Sequence, residues 1–248
     1  MTLREDILSS LSFFSIIPLK KEHYSENALN FMFVPFMLSG LISAFIAYLI
    51  LPFLPIFMVA ILSLFIIILI HGAQNADGLM DFGDGIMKRG SWQERLKAMK
   101  DTSTGTGAII SVLFTYLLTI GALYYDIGQL GVLTIFYGQL MAIIFMANLF
   151  FRNSTIGEGF ASYFKKVSGG STFIVLNLIF PLFLSIYLFP QFNLVTVLCI
   201  LFSLGMRVYV GKIFKGVNGD ILGASGEIGR MFSLILIMVP VLLINFHF

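Results

Sequence analysis

The chain has 248 residues, of which 58% are hydrophobic and only 11% charged, with a formal net charge of +2 and a mean hydropathy of +0.96. A soluble domain carries about 25% charged residues to cover its surface, so this composition excludes an ordinary water-soluble globule and a disordered chain alike. The lone cysteine, Cys199, lies in an apolar run and excludes a disulfide scaffold. The near-neutral balance by itself says little about nucleic acid, and no such partner is expected; what remains is an all-α, polytopic transmembrane bundle in a lipid bilayer, a single integral membrane domain over 1–248.

Residues 1–28 place Arg4, Glu5 and Asp6 before Lys20, Lys21 and Glu22, which is not the order of a signal peptide. Leu3, Ile7, Leu8, Leu11 and Phe14 recur at helical spacing. They predict a helix lying in the membrane interface or, equally, a plain lead-in to the first span.

Crossing roughly 30 Å of hydrocarbon takes ~20 apolar residues. Seven segments qualify: about 29–50, 54–72, 106–125, 129–151, 172–189, 192–211 and 231–247. Pro52 and Pro55 break the chain between the first two. Asp126 to Gly128 divide the third from the fourth, and Pro190 and Gln191 the fifth from the sixth.

Numbering the segments alternately puts all 15 Lys and Arg residues on or next to the side shared by the N-terminus and 73–105, 152–171 and 212–230. The other side holds one acid, Asp126, and no acid is expected mid-span. The positive-inside rule makes the charged side cytoplasmic, the N-terminus included, in a cell membrane. The long, Gly-, Asp- and Lys-rich connections on that side are where function is expected.

The strongest local pattern follows the second span, running from His71 through Asp77, Asp81 and Asp84 to Lys88. Aspartates at i, i+4 and i+7 share a helical sector of about 60°, and Lys88 at i+11 returns to it. Like charges so spaced repel unless a cation sits between them. Mg²⁺, which favours carboxylates, water and substrate phosphate, is the simplest compensation, with Lys88 adding a charge for phosphate. Plain solvation of an emerging helix is the competing account. Gly78, Gly83 and Gly85 predict either close helix packing or backbone approach to a ligand. His71 falls off the aspartate face by helical phase and reads as structural, as does His23.

Lys100 to Gly107 combine Asp101, hydroxyls, Gly105 and Gly107 before the third span. They make an anion-binding setting at a helix N-terminus, or a simple cap. Lys215 to Glu227 add Asn218, Gly219, Asp220 and Glu227 before the last span, reading as a Gly-rich turn. In the remaining loop Arg152 is the better phosphate candidate beside Asn153, Glu158, Lys165 and Lys166.

Asp77-Gly78-Leu79-x-Asp81-x-x-Asp84-Gly85, then Met99-Lys100-Asp101-x-x-x-Gly105-x-Gly107, then Asn218-Gly219-Asp220-x-Leu222-Gly223-Ala224, together resemble the cobalamin synthase family over essentially the whole chain. Asn218 stands where that family usually has Thr, and Ser103 where a basic residue is frequent, which leaves a phosphate contact there in doubt. The resemblance implies an adenosylcobinamide-GDP ribazoletransferase. Such an enzyme joins adenosylcobinamide-GDP to α-ribazole or α-ribazole 5′-phosphate in a Mg²⁺-dependent transfer that releases GMP. It implies Asp77, Asp81 and Asp84 as metal ligands, Asp101 or Asp220 as the group handling the hydroxyl, and Lys88, Gly105, Gly107, Arg152, Asn218, Gly219 and Glu227 around the substrates. A homo-oligomer is compatible with all of this. The rivals are a CDP-alcohol phosphotransferase, whose Asp-Gly motif continues with Ala-Arg where Asp81 stands here, and a transporter, which would put ionisable groups at the membrane midplane.

Overall fold

A computed structural model describes residues 2–17, 25–156 and 170–245; Lys20, Lys21, Glu22, His23, Glu158, Lys165, Lys166 and His247 lie outside the described residues. The described chain is helical apart from one isolated bridge between Thr155 and Val217.

Helix α1 (Leu3–Phe14) opens with a capping box, in which Thr2 accepts from the Glu5 backbone and Glu5 accepts from that of Thr2. Its inward side carries polar groups: Asp6, Ser9 and Ser10 are buried, whereas Leu3 is 63% exposed. Ser25 donates to the Asp6 carboxylate, and Ser10 donates to the Phe31 carbonyl at 2.8 Å. Of the apolar stripe, Leu3 is turned outward, Ile7, Leu8 and Leu11 are half-buried and Phe14 is buried, so the helix docks by polar and apolar side chains together.

After a 3₁₀ turn, α2 (Phe33–Ile50) and α3 (Ile56–Ile70) form a hairpin around the Pro52–Pro55 break. Then come α4 (Gln74–Met87), α5 (Trp92–Met99), α6 (Thr106–Leu130) and α7 (Leu133–Arg152). The last three are α8 (Ser171–Leu188), α9 (Asn193–Phe214) and α10 (Gly219–Asn245). Helix α8 carries a π turn over Val175–Ile179, where Asn177 accepts from the Phe33 backbone at 2.9 Å and donates to the Asn30 carbonyl at 2.9 Å. The π turn is thereby locked to the entry of α2.

Helix α7 is the central post, buried almost throughout, with α2, α8, α9 and α10 packed around it. The outer helices turn large apolar side chains outward, among them Phe45, Phe114, Tyr187 and Leu194, each more than 60% exposed. Such a belt suits lipid rather than water.

Among the described residues six helices are long and apolar enough to cross a membrane, and the bent pair α3–α4 makes up to seven. Three sequence expectations need correction. The second span, expected over 54–72, is a helix of only 15 residues, about 22 Å long at 1.5 Å per residue. The chain then bends by 94° into α4. Second, α6 runs through Asp126 to Leu130 and ends where Gly131 takes φ +89°. Third, the last helix begins at Gly219 rather than near 231, so Glu227 and Arg230 lie inside it. Acids therefore do occur within long helices. Glu227 is tolerated because Arg230, one turn on, forms an ion pair with it, both side chains being buried. Asp126 is fully buried with no hydrogen-bond partner among the described residues.

Arg230 also donates to Gln139 Oε1 on α7 at 3.0 Å. Gln139 donates to Ser39 Oγ on α2 at 2.6 Å, and Ser39 meets His71 Nε2 at 3.0 Å. This polar chain crosses the core from α10 to the α3–α4 corner, and in a low-dielectric interior each member depends on its neighbour.

Removing one partner of a buried ion pair is far more costly than removing both. Arg230→Met is therefore expected to lower stability by about 3–5 kcal/mol, and Arg230→Met combined with Glu227→Leu to recover most of that loss. Thermal unfolding of the detergent-solubilised variants measures the coupling, and additive effects would contradict it.

Candidate active site

The site is set by the corner at residues 71–73. The α3 helix ends at His71, and Gly72 and Ala73 both take left-handed conformations, φ +62° and +59°. His71 is buried, with Nδ1 2.7 Å from the Phe14 carbonyl of α1 and its ring 4.4 Å from that of Phe36. It is structural, as expected, although helical phase was the wrong argument because His71 does not share a helix with the aspartates. Helix α4 turns 94° away from α3, is not itself one of the six helices able to cross a membrane alone, and lies across the N-termini of α6 and α10. Its far end is closed by Arg95, which donates to the Ile86 carbonyl at 2.8 Å.

Helix α4 is amphipathic, with Gly78, Leu79, Phe82, Gly83 and Gly85 buried. The glycines serve packing. A Cβ on Gly78 would stand 2.7 Å from the Asp220 carbonyl of α10, and one on Gly107 of α6 would stand 2.6 Å from the Gly83 carbonyl. Two helix backbones thus touch α4 directly, at the N-termini of α6 and α10.

Asp77, Asp81 and Asp84 stay together along one side of this helix, as the spacing predicts, and the crossing adds Asp220. The Asp81 carboxyl is pushed up to about 6, first by burial and then by the charges of Asp220, Asp77 and Asp84. Asp84 has a further task. Its Oδ2 accepts from the Gly105 backbone and its Oδ1 from that of Ala108, both at 2.9 Å. The anion at the N-terminus of α6 is therefore a side chain of the protein itself. Gly105 and Gly107 pack against Asp84 and Gly83.

Asn218 caps α10: its Oδ1 accepts from the Ile221 backbone at 3.0 Å, and its Nδ2 donates to Asp220 Oδ2 at 2.8 Å. Gly219 is exposed, and a Cβ there would meet nothing within 4 Å. Asp101 lies on an exposed turn and accepts from the Ser103 hydroxyl at 2.7 Å and backbone at 3.0 Å, which holds its carboxyl below the usual range. Ser103, the departure from the family pattern, thus closes an Asx-type turn.

Two candidates stand apart from this cluster. Glu227 is committed to Arg230 in the core. Lys88 follows the end of α4 in extended conformation and is exposed, so it leaves the aspartate sector; its charge acts on Glu94. Arg152 is the last residue of α7. The cation that acts on Asp220 is instead Lys100, which sequence reasoning named within a motif without assigning it to the site. Asn75 was also missed. It packs against Gly223 of α10 and shares with Asp220 the wall of a cavity of about 380 Å³ between α1, α4, α7 and α10. Its isolated position in the sequence gave no signal.

Among the described residues no three acidic, His or Cys side chains converge into a ready-made metal cage. The donor set nevertheless suits a hard cation. Mg²⁺ takes one or two carboxylates and completes its shell with water and substrate phosphate. Asp77 is exposed and Asp81 half-buried, and among the described residues neither carries a hydrogen bond that would occupy its oxygens.

The family model for cobalamin-5-phosphate synthase matches residues 6–238. The chain belongs to that family. Among its relatives, proteins named adenosylcobinamide-GDP ribazoletransferase are 30% identical in Picrophilus torridus, over 97% of this chain and 100% of the relative, and 32% identical in Thermococcus kodakarensis, over 91% and 94%. A third, in Methanococcoides burtonii, is 32% identical over 86% and 82%. No solved structure matches.

Two predictions follow from the packing and the charges. Gly78→Ala forces α4 away from α10 and should cost about 1–3 kcal/mol, whereas Gly219→Ala should leave the melting temperature within about a degree, since neither contact nor strain opposes it. An acid whose pKa is raised on folding binds its proton more tightly in the native state, so the stability it contributes falls as pH rises from 3.8 through about 6. In chelator-treated protein the melting temperature should drop over that interval, and Asp81→Asn should flatten the drop. An equal drop in both proteins would exclude Asp81 as its source.

Proposed function

We propose that this protein is an adenosylcobinamide-GDP ribazoletransferase. It joins adenosylcobinamide-GDP to α-ribazole, or its 5′-phosphate, and releases GMP. The observation that carries the reading is that the family match runs through both aspartate-bearing segments, and those segments touch backbone to backbone at Gly78 and Asp220.

In this reaction a ribose hydroxyl attacks the phosphorus on the corrinoid side of the pyrophosphate. The bond from that phosphorus to the oxygen of GMP breaks, and the hydroxyl proton is released. The work of the protein is positioning and charge stabilisation. Asp77 and Asp81 would hold Mg²⁺, which supplies neutralisation of the pyrophosphate.

Asp220 is the better placed of the two candidate groups for orienting the hydroxyl. It borders both the carboxylate cluster and the cavity, whereas Asp101 lines a shallow hollow with Trp92 and Lys97 and is engaged by Ser103. Asp84 acts by position, clamping α6 to α4. Lys100, which acts on Asp220, is the cation assigned to phosphate.

The charged end of the bundle faces the cytoplasm by the positive-inside rule, where a nucleotide substrate is accessible.

The test uses membranes supplied with adenosylcobinamide-GDP, α-ribazole 5′-phosphate and Mg²⁺, scored for a new corrinoid and GMP. Asp81→Asn and Asp220→Asn should each lower GMP release by about 10²-fold or more while insertion stays normal. Near-normal turnover in both would overturn the site assignment. Release of CMP from a CDP-alcohol with the corrinoid untouched would overturn the activity.

A further inference from the structure

The cavity beside Asp220 is not needed to hold a pyrophosphate, and its chemistry differs from that of the carboxylate cluster. Phe13 and Phe14 of α1, Met32, and Met146 and Phe150 of α7 make its walls. They offer aromatic faces and polarisable sulfur, which suit a flat heteroaromatic ring. At the α10 side the lining changes to Gly219 and Asp220, the latter in electrostatic contact with Asp77. One end of the cavity is thus apolar and the other ionic.

Asn75 belongs to this wall. It is only 8% exposed, and its Nδ2 has no hydrogen-bond partner among the described residues. That nitrogen is sealed from the cavity, and what Asn75 lends the wall is its packing against Gly223 of α10. Gly219 borders the cavity from the same helix. A Cβ there would touch nothing, so the backbone has no packing need for glycine at a position that borders the cavity. Glycine there keeps room for something else.

Size separates the two substrates. At about 380 Å³ the cavity lies near the lower end of the ~300–1,000 Å³ that encloses drug-sized ligands. A nucleoside fits; a corrinoid nucleotide does not.

We propose that this cavity is the subsite for the acceptor nucleoside, taking its aromatic base between α1 and α7, with the ribose delivered to Asp220. The assignment rests on the proposed function, and it adds where the acceptor lies and which residues select it. The base is read by apolar contact, while the corrinoid and its pyrophosphate stay outside, over α4.

Two measurements test it. Once wild-type membranes are seen to make the corrinoid product, Gly219→Leu should raise KM for α-ribazole about tenfold, the size of an obstructed contact, and leave KM for adenosylcobinamide-GDP within about twofold. The second readout needs no turnover. Gln74→Cys, at the cavity wall, is labelled with a maleimide in a Cys199→Ala background, in nanodiscs. α-Ribazole alone should slow labelling about fivefold or more, as occupancy of the site requires, and adenosylcobinamide-GDP alone should not. An unchanged rate with α-ribazole, protection by the corrinoid nucleotide instead, or a KM effect confined to the corrinoid would overturn the proposal. Failure of the proposed activity reads differently: the wild-type membranes form no product, and the labelling result still reports whether the nucleoside occupies the cavity.

Discussion

The arrangement depends on a corner. At His71 to Ala73 the chain abandons a span of only 15 residues and turns 94°, and the turn is held by one imidazole that bonds to a carbonyl of α1 and a hydroxyl of α2. A straight continuation would carry the three aspartates along the direction of α3, away from the N-termini of α6 and α10. The bend lays them across those termini. Two left-handed residues, one of them the non-glycine Ala73, are the conformational cost of this geometry, and the buried contacts of His71 are what offset it.

Beneath the corner the bundle is unusually polar for a membrane core. Ser39, Gln139, Arg230 and Glu227 run from the His71 ring into α10. No water competes for these groups in an apolar interior, so each keeps its partner or leaves a desolvated charge. The consequence is mechanical. The helix that carries Asp220 and the corner that launches α4 are joined through the core as well as at the surface, and the four carboxylates are held in register despite their mutual repulsion. A cation bound between them, as proposed, would return the stabilisation that this repulsion removes.

Asp84 shows how one motif divides its labour. All three aspartates share a helix face, yet Asp84 alone reaches the backbone donors of α6 and becomes the negative end of a helix-dipole interaction. The spacing that makes three carboxylates equivalent on paper yields two facing outward and one serving as a bolt between helices. The same crossing explains Gly83 and Gly107, which allow the backbones to approach closely enough for that bolt to close.

What could be read from sequence were properties decided by neighbours along the chain. Crossing length is a sum over about 20 consecutive residues, so α2, α6, α7, α8 and α9 were legible within a few positions. Helix phase is likewise local, which is why Asp77, Asp81 and Asp84 were rightly placed on one face and why the ordered motifs pointed to the family. What the tertiary structure decided were pairings between distant positions. Glu227 read as a loop ligand until Arg230 neutralised it inside a helix beginning at Gly219. Lys88 seemed to extend the aspartate face until the helix ended before it. Asp84 found Gly105 and Ala108, Gly78 found Asp220, and Asn75 joined α1 and α7 around a cavity. No periodicity encodes such contacts, because they depend on how helices cross and on which side chains are small enough to let them. The one-sided charge of the chain was thus a local fact, and the site built from it was a fact of packing.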